Sequence, residues 1–166
     1  MKKIEYINQD LSKIIIRKED LESVEELRIW RCKKVDWRML ENTKNLKKVH
    51  LMGYDCKDLK VLINNVGLNE LELVGVENDF SLTGVESLSE LRFLDISTPV
   101  HWDFTKGKKV SISNIDILKK LKLLRLTLIG FYIPDYSREL FIDNFDIRNM
   151  HIGGSFNIIK KEGVFN

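Results

Sequence analysis

One hydrophobic pattern, with apolar positions spaced by three and then by two, recurs along the chain and restricts its fold more than any other feature. The copies are Val24-Glu-Glu-Leu27-Arg-Ile29, Leu46-Lys-Lys-Val49-His-Leu51, Leu68-Asn-Glu-Leu71-Glu-Leu73, Leu91-Arg-Phe-Leu94-Asp-Ile96 and Leu121-Lys-Leu-Leu124-Arg-Leu126. All fifteen anchor positions are Leu, Ile or Val, and a sixth copy, Ile147-Arg-Asn-Met150-His-Ile152, keeps the pattern with Met at its centre. Successive starts are separated by 22, 22, 23, 30 and 26 residues. A unit this short cannot bury its apolar side alone, so neighbouring units must stack to make a common core.

A spacing near three suits a tight helical turn, and a spacing of two suits a strand with alternate side chains inward. Each unit therefore enters a short strand. Successive strands separated by a return segment have to run parallel, with the returns stacked on the other side. The expected returns are 35–45, 58–67, 77–89, 111–120 and 134–146, with short helices over 36–44 and 114–120. They should supply a second core wall through Trp37, Leu40, Leu59, Leu62, Phe80, Val85, Ile112, Ile115, Leu140 and Phe141.

Over roughly residues 17 to 155 the chain resembles the leucine-rich-repeat family, whose motif is Leu-x-x-Leu-x-Leu-x-x-Asn/Cys-x-Leu. The first half of the motif matches. At the Asn/Cys position stand Cys32, Tyr54, Val76, Pro99, Ile129 and Ser155. Only Cys32 conforms, so the resemblance implies an irregular arc. What it implies for the fold is an α/β leucine-rich-repeat solenoid: a curved parallel sheet with short helices or turns on the convex side. The 166 residues are then one domain, with residues 1–17 as an N-terminal cap, 18–155 as about six repeats and 156–166 as a C-terminal cap. Lys3–Ile7 and Ser12–Arg17 read as paired strands covering the open end.

Composition narrows the function classes. With 43% hydrophobic and 31% charged residues the chain is globular in character. A formal net charge of +2 lacks the basic excess of a dedicated nucleic-acid binder. Glu5, Asn8, Gln9 and Asp10 interrupt the segment where a signal peptide needs an apolar run, and no window is apolar enough to span a membrane. Cys32 and Cys56, too few for a disulfide framework, read as buried thiols of a reducing cytoplasm. The absence of alanine beside abundant Lys, Ile and Asn points to an AT-rich, bacterial source.

No motif for nucleotide, metal or nucleophilic chemistry is present: there is no phosphate-binding glycine loop, no His pair at helical ligand spacing and no nucleophile elbow. Gly153-Gly154 reads as an ordinary turn. The expectation is a non-enzyme without cofactor or metal.

Alternation does name the side chains that leave the core. With Leu27 and Ile29 inward, three columns face outward. The first holds Glu26, Lys48, Glu70, Phe93, Leu123 and Asn149, and the second Arg28, His50, Glu72, Asp95, Arg125 and His151. The third holds Trp30, Met52, Val74, Ser97, Thr127 and Gly153. His50 and Glu72 fall side by side as a surface polar pair. The candidate protein-binding residues on the concave face are Arg28, Trp30, His50, Met52, Glu72, Phe93, Asp95 and Arg125, because aromatic, Met and Arg side chains are favoured where proteins dock. A second candidate is the 98–109 loop, with Trp102 and Phe104 as anchors beside basic Lys106, Lys108 and Lys109. The expected function is a cytoplasmic protein-binding module, monomeric when free, and more narrowly an immunity protein that occludes a cognate toxin domain. The alternatives are a nucleic-acid-associated factor using the Lys106–Lys109 loop, or the recognition domain of a larger effector or receptor.

Overall fold

The computed structural model describes residues 2–99, 110–133, 149–154 and 157–162, the last two stretches as backbone strands only. Its main sheet holds eight strands: β1 (Lys3–Ile7), β2 (Glu26–Trp30), β3 (Lys48–Met52), β4 (Glu70–Val74), β6 (Phe93–Ser97), β8 (Arg125–Ile129), β10 (Asn149–Gly154) and β11 (Asn157–Glu162), adjacent in that order. Every neighbouring pair from β1 to β10 is parallel, and β11 returns antiparallel to β10. The architecture is α/β in type, a parallel sheet backed by short helical turns.

Each strand is short because only its two inward side chains meet the core. Leu27, Val49, Leu71, Leu94 and Leu126 form one row across β2, β3, β4, β6 and β8, and Ile29, Leu51, Leu73, Ile96 and Leu128 form the next. All ten are buried. Just before each strand Val24, Leu46, Leu68, Leu91 and Leu123 make a third buried row. Equivalent residues lie one strand spacing apart, about 4.8 Å, so like packs on like along the whole sheet.

The fifth unit corrects the sequence register. Leu94 pairs with Leu126 and Ile96 with Leu128, so the copy begins at Leu123 rather than Leu121. Leu123 is therefore a core residue and not an outward one, while Leu124, expected in the buried row, is only half-buried. The run Leu121-Lys-Leu-Leu-Arg-Leu-Thr-Leu128 satisfies the three-then-two pattern in either frame, and hydrogen bonding to β6 selects the later one. A backbone turn marks the same frame. Seven residues into their units, Arg31, Gly53, Gly75 and Gly130 all take positive φ, of 53°, 75°, 74° and 84°. At Gly130 a side chain would also collide with Thr98 Oγ1. Phe131, and not Ile129, thereby stands eight residues into the fifth unit, the place held by Tyr54 and Val76 in theirs, and all three are buried. Cys32 instead lends its thiol to the carbonyls of Tyr6 and Trp30, at 3.3 and 3.6 Å, and both cysteines are half-buried rather than buried.

The returns form the second wall. Short 3-10 turns occupy Trp37–Asn42, Lys60–Leu62, Val85–Ser87 and Ile115–Lys120. The Asp36 carboxylate starts the first by accepting from the Arg38 amide, and Asp58 does the same for Lys60. Trp37, Leu40, Leu59, Leu62, Phe80, Val85, Ile112 and Ile115 are buried as expected; Leu140 and Phe141 lie outside the described residues. Trp37, Tyr54 and Phe80 stack edge to face through this wall, with ring centroids 5.2 and 6.2 Å apart. Buried Asn65 ties neighbouring returns, donating to Thr43 Oγ1 and accepting from the Leu46 amide. Along one margin a small second parallel sheet, unanticipated in the sequence, joins β5 (Phe80–Ser81), β7 (Val110–Ser113) and β9 (Phe131–Tyr132).

The N-terminal segment also departs from expectation. Ser12–Arg17 is not a strand, and β1 pairs parallel with β2. A parallel neighbour needs a crossover rather than a hairpin, and residues 8–25 provide it through a 3-10 turn at Leu11–Lys13 and a helix, α1, at Lys18–Glu22. The N-terminal segment, ahead of the five copies, is thus a further unit on the same strand-and-return plan.

The two frames of the fifth unit make opposite forecasts. Leu126→Ala should lower the unfolding free energy by about 2–5 kcal/mol, as expected for a fully buried leucine, and Leu124→Ala by much less. Equal losses in urea denaturation would restore the earlier frame.

Candidate functional site

The side chains between the buried rows stand on the opposite face of the main sheet, where strand spacing brings them into lateral contact. Column one runs Lys3, Glu26, Lys48, Glu70, Phe93 and Arg125, and column two Glu5, Arg28, His50, Glu72, Asp95 and Thr127. In column three stand Ile7, Trp30, Met52, Val74, Ser97 and Ile129. From β2 to β8 these residues are half-buried, each shielded by its neighbours along the column.

Column one alternates in charge and its ions pair sideways. Lys3 Nζ lies 2.8 Å from Glu26 Oε1, and Lys48 Nζ lies 3.1 Å from Glu70 Oε2. In column two, His50 Nδ1 and Glu72 Oε2 are 2.7 Å apart, so the polar pair expected from sequence is formed. Arg28 sits 3.8 Å from Glu5 and stacks over the Trp30 ring, 5.1 Å from its centroid. Such a stack lays the cation against the π-face of the indole, an attraction of the charge to the ring.

Arg125 is placed differently from expectation. It lies across from Phe93 in column one and not beside Asp95 in column two, because the fifth unit starts two residues later. From there its guanidinium covers the Phe93 ring at 5.2 Å and reaches diagonally to Asp95, with Nε 3.2 Å from Oδ1. The carboxylate beside it holds the Arg125 guanidinium still more firmly in its charged form. Glu72 and Asp95 face each other on adjacent strands. Like charges so placed repel, and His50 on one flank and Arg125 on the other offset this.

Arg28, Trp30, His50, Met52, Glu72, Phe93, Asp95 and Arg125 therefore share one surface, as the alternation implied. Lys3, Glu5 and Ile7 on β1 and Ile129 on β8 belong to it as well. The first three carry a signal in their own alternation, Lys-Ile-Glu-Tyr-Ile, which matches the outward and inward positions of β2. Trp102, Phe104, Lys106, Lys108 and Lys109 lie outside the described residues, as does the His151 side chain. Among the described residues no group of three His, Cys, Asp or Glu side chains could hold a metal ion, and no helix is long and apolar enough to cross a membrane.

Acid should loosen the β1 end of this face. The Lys3 hydrogen bond holds the Glu26 carboxyl below its ordinary value. A depressed folded value contributes stability that is complete above the ordinary carboxylate range and disappears as pH falls through the lowered value. The urea midpoint of the parent should therefore fall between pH 7 and pH 3 by more than that of Glu26→Gln. The gap is a modest one, since partly exposed pairs contribute about 0–1 kcal/mol, and equal pH slopes would exclude this contribution.

Comparison with family models, with curated proteins and with solved structures returned no match for this chain.

Proposed function

We propose that the chain is a leucine-rich-repeat-type solenoid whose open sheet face binds another protein. The observation that carries this reading is the pair of Arg-aromatic stacks, Arg28 on Trp30 and Arg125 on Phe93, on one face beside the apolar column Ile7, Trp30, Met52 and Val74. Arg and aromatic side chains held in fixed orientation lose little further freedom on binding, and they are the residue types that dominate protein-protein affinity. Sideways pairing of the charges supports a protein partner over nucleic acid, because a polyanion needs uncommitted cations and here Lys3, Lys48 and Arg125 are each matched by a carboxylate. The narrower reading is an immunity protein in which this face covers a toxin domain. Repeats of one shape carrying different outward residues suit a role in which the scaffold stays constant and the face changes with the partner.

The test isolates a partner by affinity capture with the full chain as bait and then measures its Kd for parent and variants. Trp30→Ala and Phe93→Ala should each weaken binding by about 2 kcal/mol or more, whereas Lys44→Ala, on the opposite side, should leave it unchanged. Parent-like affinity of both face variants would overturn the assignment, as would recovery of nucleic acid whose binding collapses between low and physiological salt. For the narrower reading, co-expression should rescue host growth from the captured protein, and Trp30→Ala should abolish the rescue.

A further inference from the structure

The N-terminal unit is built like the others but, among the described residues, has no neighbour on its outer side. Its inward residues Ile4 and Tyr6 stand in register with Leu27 and Ile29, yet they are only half-buried where Leu27 and Ile29 are fully buried. Ile14 and Ile16 of the same unit are likewise only partly covered, Ile7 is 41% exposed and Ile15 is 90% exposed. An end unit of a stacked repeat normally presents a polar outer side. Here the apolar interior continues to the surface.

Among the described residues the backbone at this end is open too. The Glu26 amide donates to the Lys2 carbonyl at 3.2 Å and the Asn8 amide to the Trp30 carbonyl at 3.0 Å, which puts the even-numbered residues of this segment toward β2. Because successive residues of a strand direct their amides to opposite edges, the N–H and C=O groups of Lys3, Glu5 and Ile7 point away from the sheet. No strand pairs with that edge among the described residues. Such an edge is a template for another strand, and charged side chains on it decide which strand is accepted.

We infer that β1 pairs antiparallel with β1 of a second copy, about a two-fold axis through Ile4, and that this closes the end of the stack. Charge selects the occupant and the register. With the axis at Glu5, each Glu5 would meet its own copy and repel it. With the axis at Ile4, Lys3 lies across from Glu5 of the second copy and Glu5 across from its Lys3, so each Lys3, which already reaches Glu26 at 2.8 Å and Glu5 of its own strand at 3.2 Å, extends that network of opposite charges across the contact. That register also matches the free backbone groups, since Lys3 and Glu5 are the residues whose amides and carbonyls point outward. On the core side Ile4 meets Ile4 and the Tyr6 ring meets the Lys2 stem. A two-fold contact of this kind is self-complementary and closes at two copies. The sheet then runs through both chains with its open faces on the same side, in place of the monomer expected from sequence.

The experiment is sedimentation equilibrium of the full chain over a wide concentration range. The parent should approach twice the 19.5 kDa chain mass. Glu5→Lys and Lys3→Glu should each be monomeric, because Lys would face Lys or Glu would face Glu, yet an equimolar mixture of the two should dimerise. Glu5→Pro provides a second route, since it removes an outward N–H that β2 does not use, and a proline there is compatible with an edge strand. It should raise the dimer dissociation constant at least about tenfold while far-UV circular dichroism and thermal unfolding remain those of a folded chain. Trp30→Ala should dimerise like the parent, which separates this contact from binding at the open face. A parent monomeric at every concentration would overturn the inference. So would a dimer indifferent to all three edge variants, a mixture of the charge variants that stays monomeric, or growth into open filaments.

Discussion

Parallel pairing of short strands with a side-chain period of two is the constraint on which the rest of the molecule depends. Once β3 is in register with β2, every odd or even choice downstream is made, because a slip of one residue would move Val49 and Leu51 from the core to the open face and bring Lys48 and His50 inward. The cost of that slip is several buried leucine-sized side chains and as many buried charges. Successive copies of one pattern repeat the penalty at each strand, so the register propagates along the sheet.

From that register the open face follows. Its residues are the ones the core excludes, and the strand spacing makes them neighbours of their equivalents in adjacent units rather than of residues near in sequence. Charges chosen unit by unit therefore become lateral pairs, Lys3 with Glu26 and Lys48 with Glu70. Glu72 and Asp95, like charges that face each other, lie between His50 and Arg125. Arg28 and Arg125 each serve two partners, a carboxylate and an aromatic ring. Beside these pairs runs the half-buried apolar column of Trp30, Met52 and Val74.

The core was legible because it was written five times. Val24, Leu27 and Ile29 alone would not distinguish a strand from a helical turn, whereas the same spacing in successive units leaves only stacked parallel strands. Legibility failed where one copy offered two frames. In Leu121–Leu128 four of the intervening residues are also leucine or long apolar-stemmed lysine, so pattern matching could not choose. The glycine seven residues into the unit could have chosen: Gly53, Gly75, Gly130 and Gly154 share that place, and the first three adopt positive φ. At the N-terminus the pattern is present but partly polar, and nothing in the five residues Lys3–Ile7 distinguishes pairing with β2 from the expected pairing with Ser12–Arg17.

From Val24 to Ile96 the sequence by itself determined which side chains are inward and which leave the core, and that the strands there must be parallel, since these depend only on period and on the return length between copies. Tertiary structure decided what depends on backbone pairing across units. It set the frame of β8, which moved Arg125 from the second outward column to the first, where it bridges Phe93 and Asp95. It made a small second sheet from Phe80–Ser81, Val110–Ser113 and Phe131–Tyr132, segments too short to carry a period of their own. And among the described residues it left β1 with one edge filled and one edge open, because the hydrogen bonds of a strand belong to its neighbours and not to its own residues.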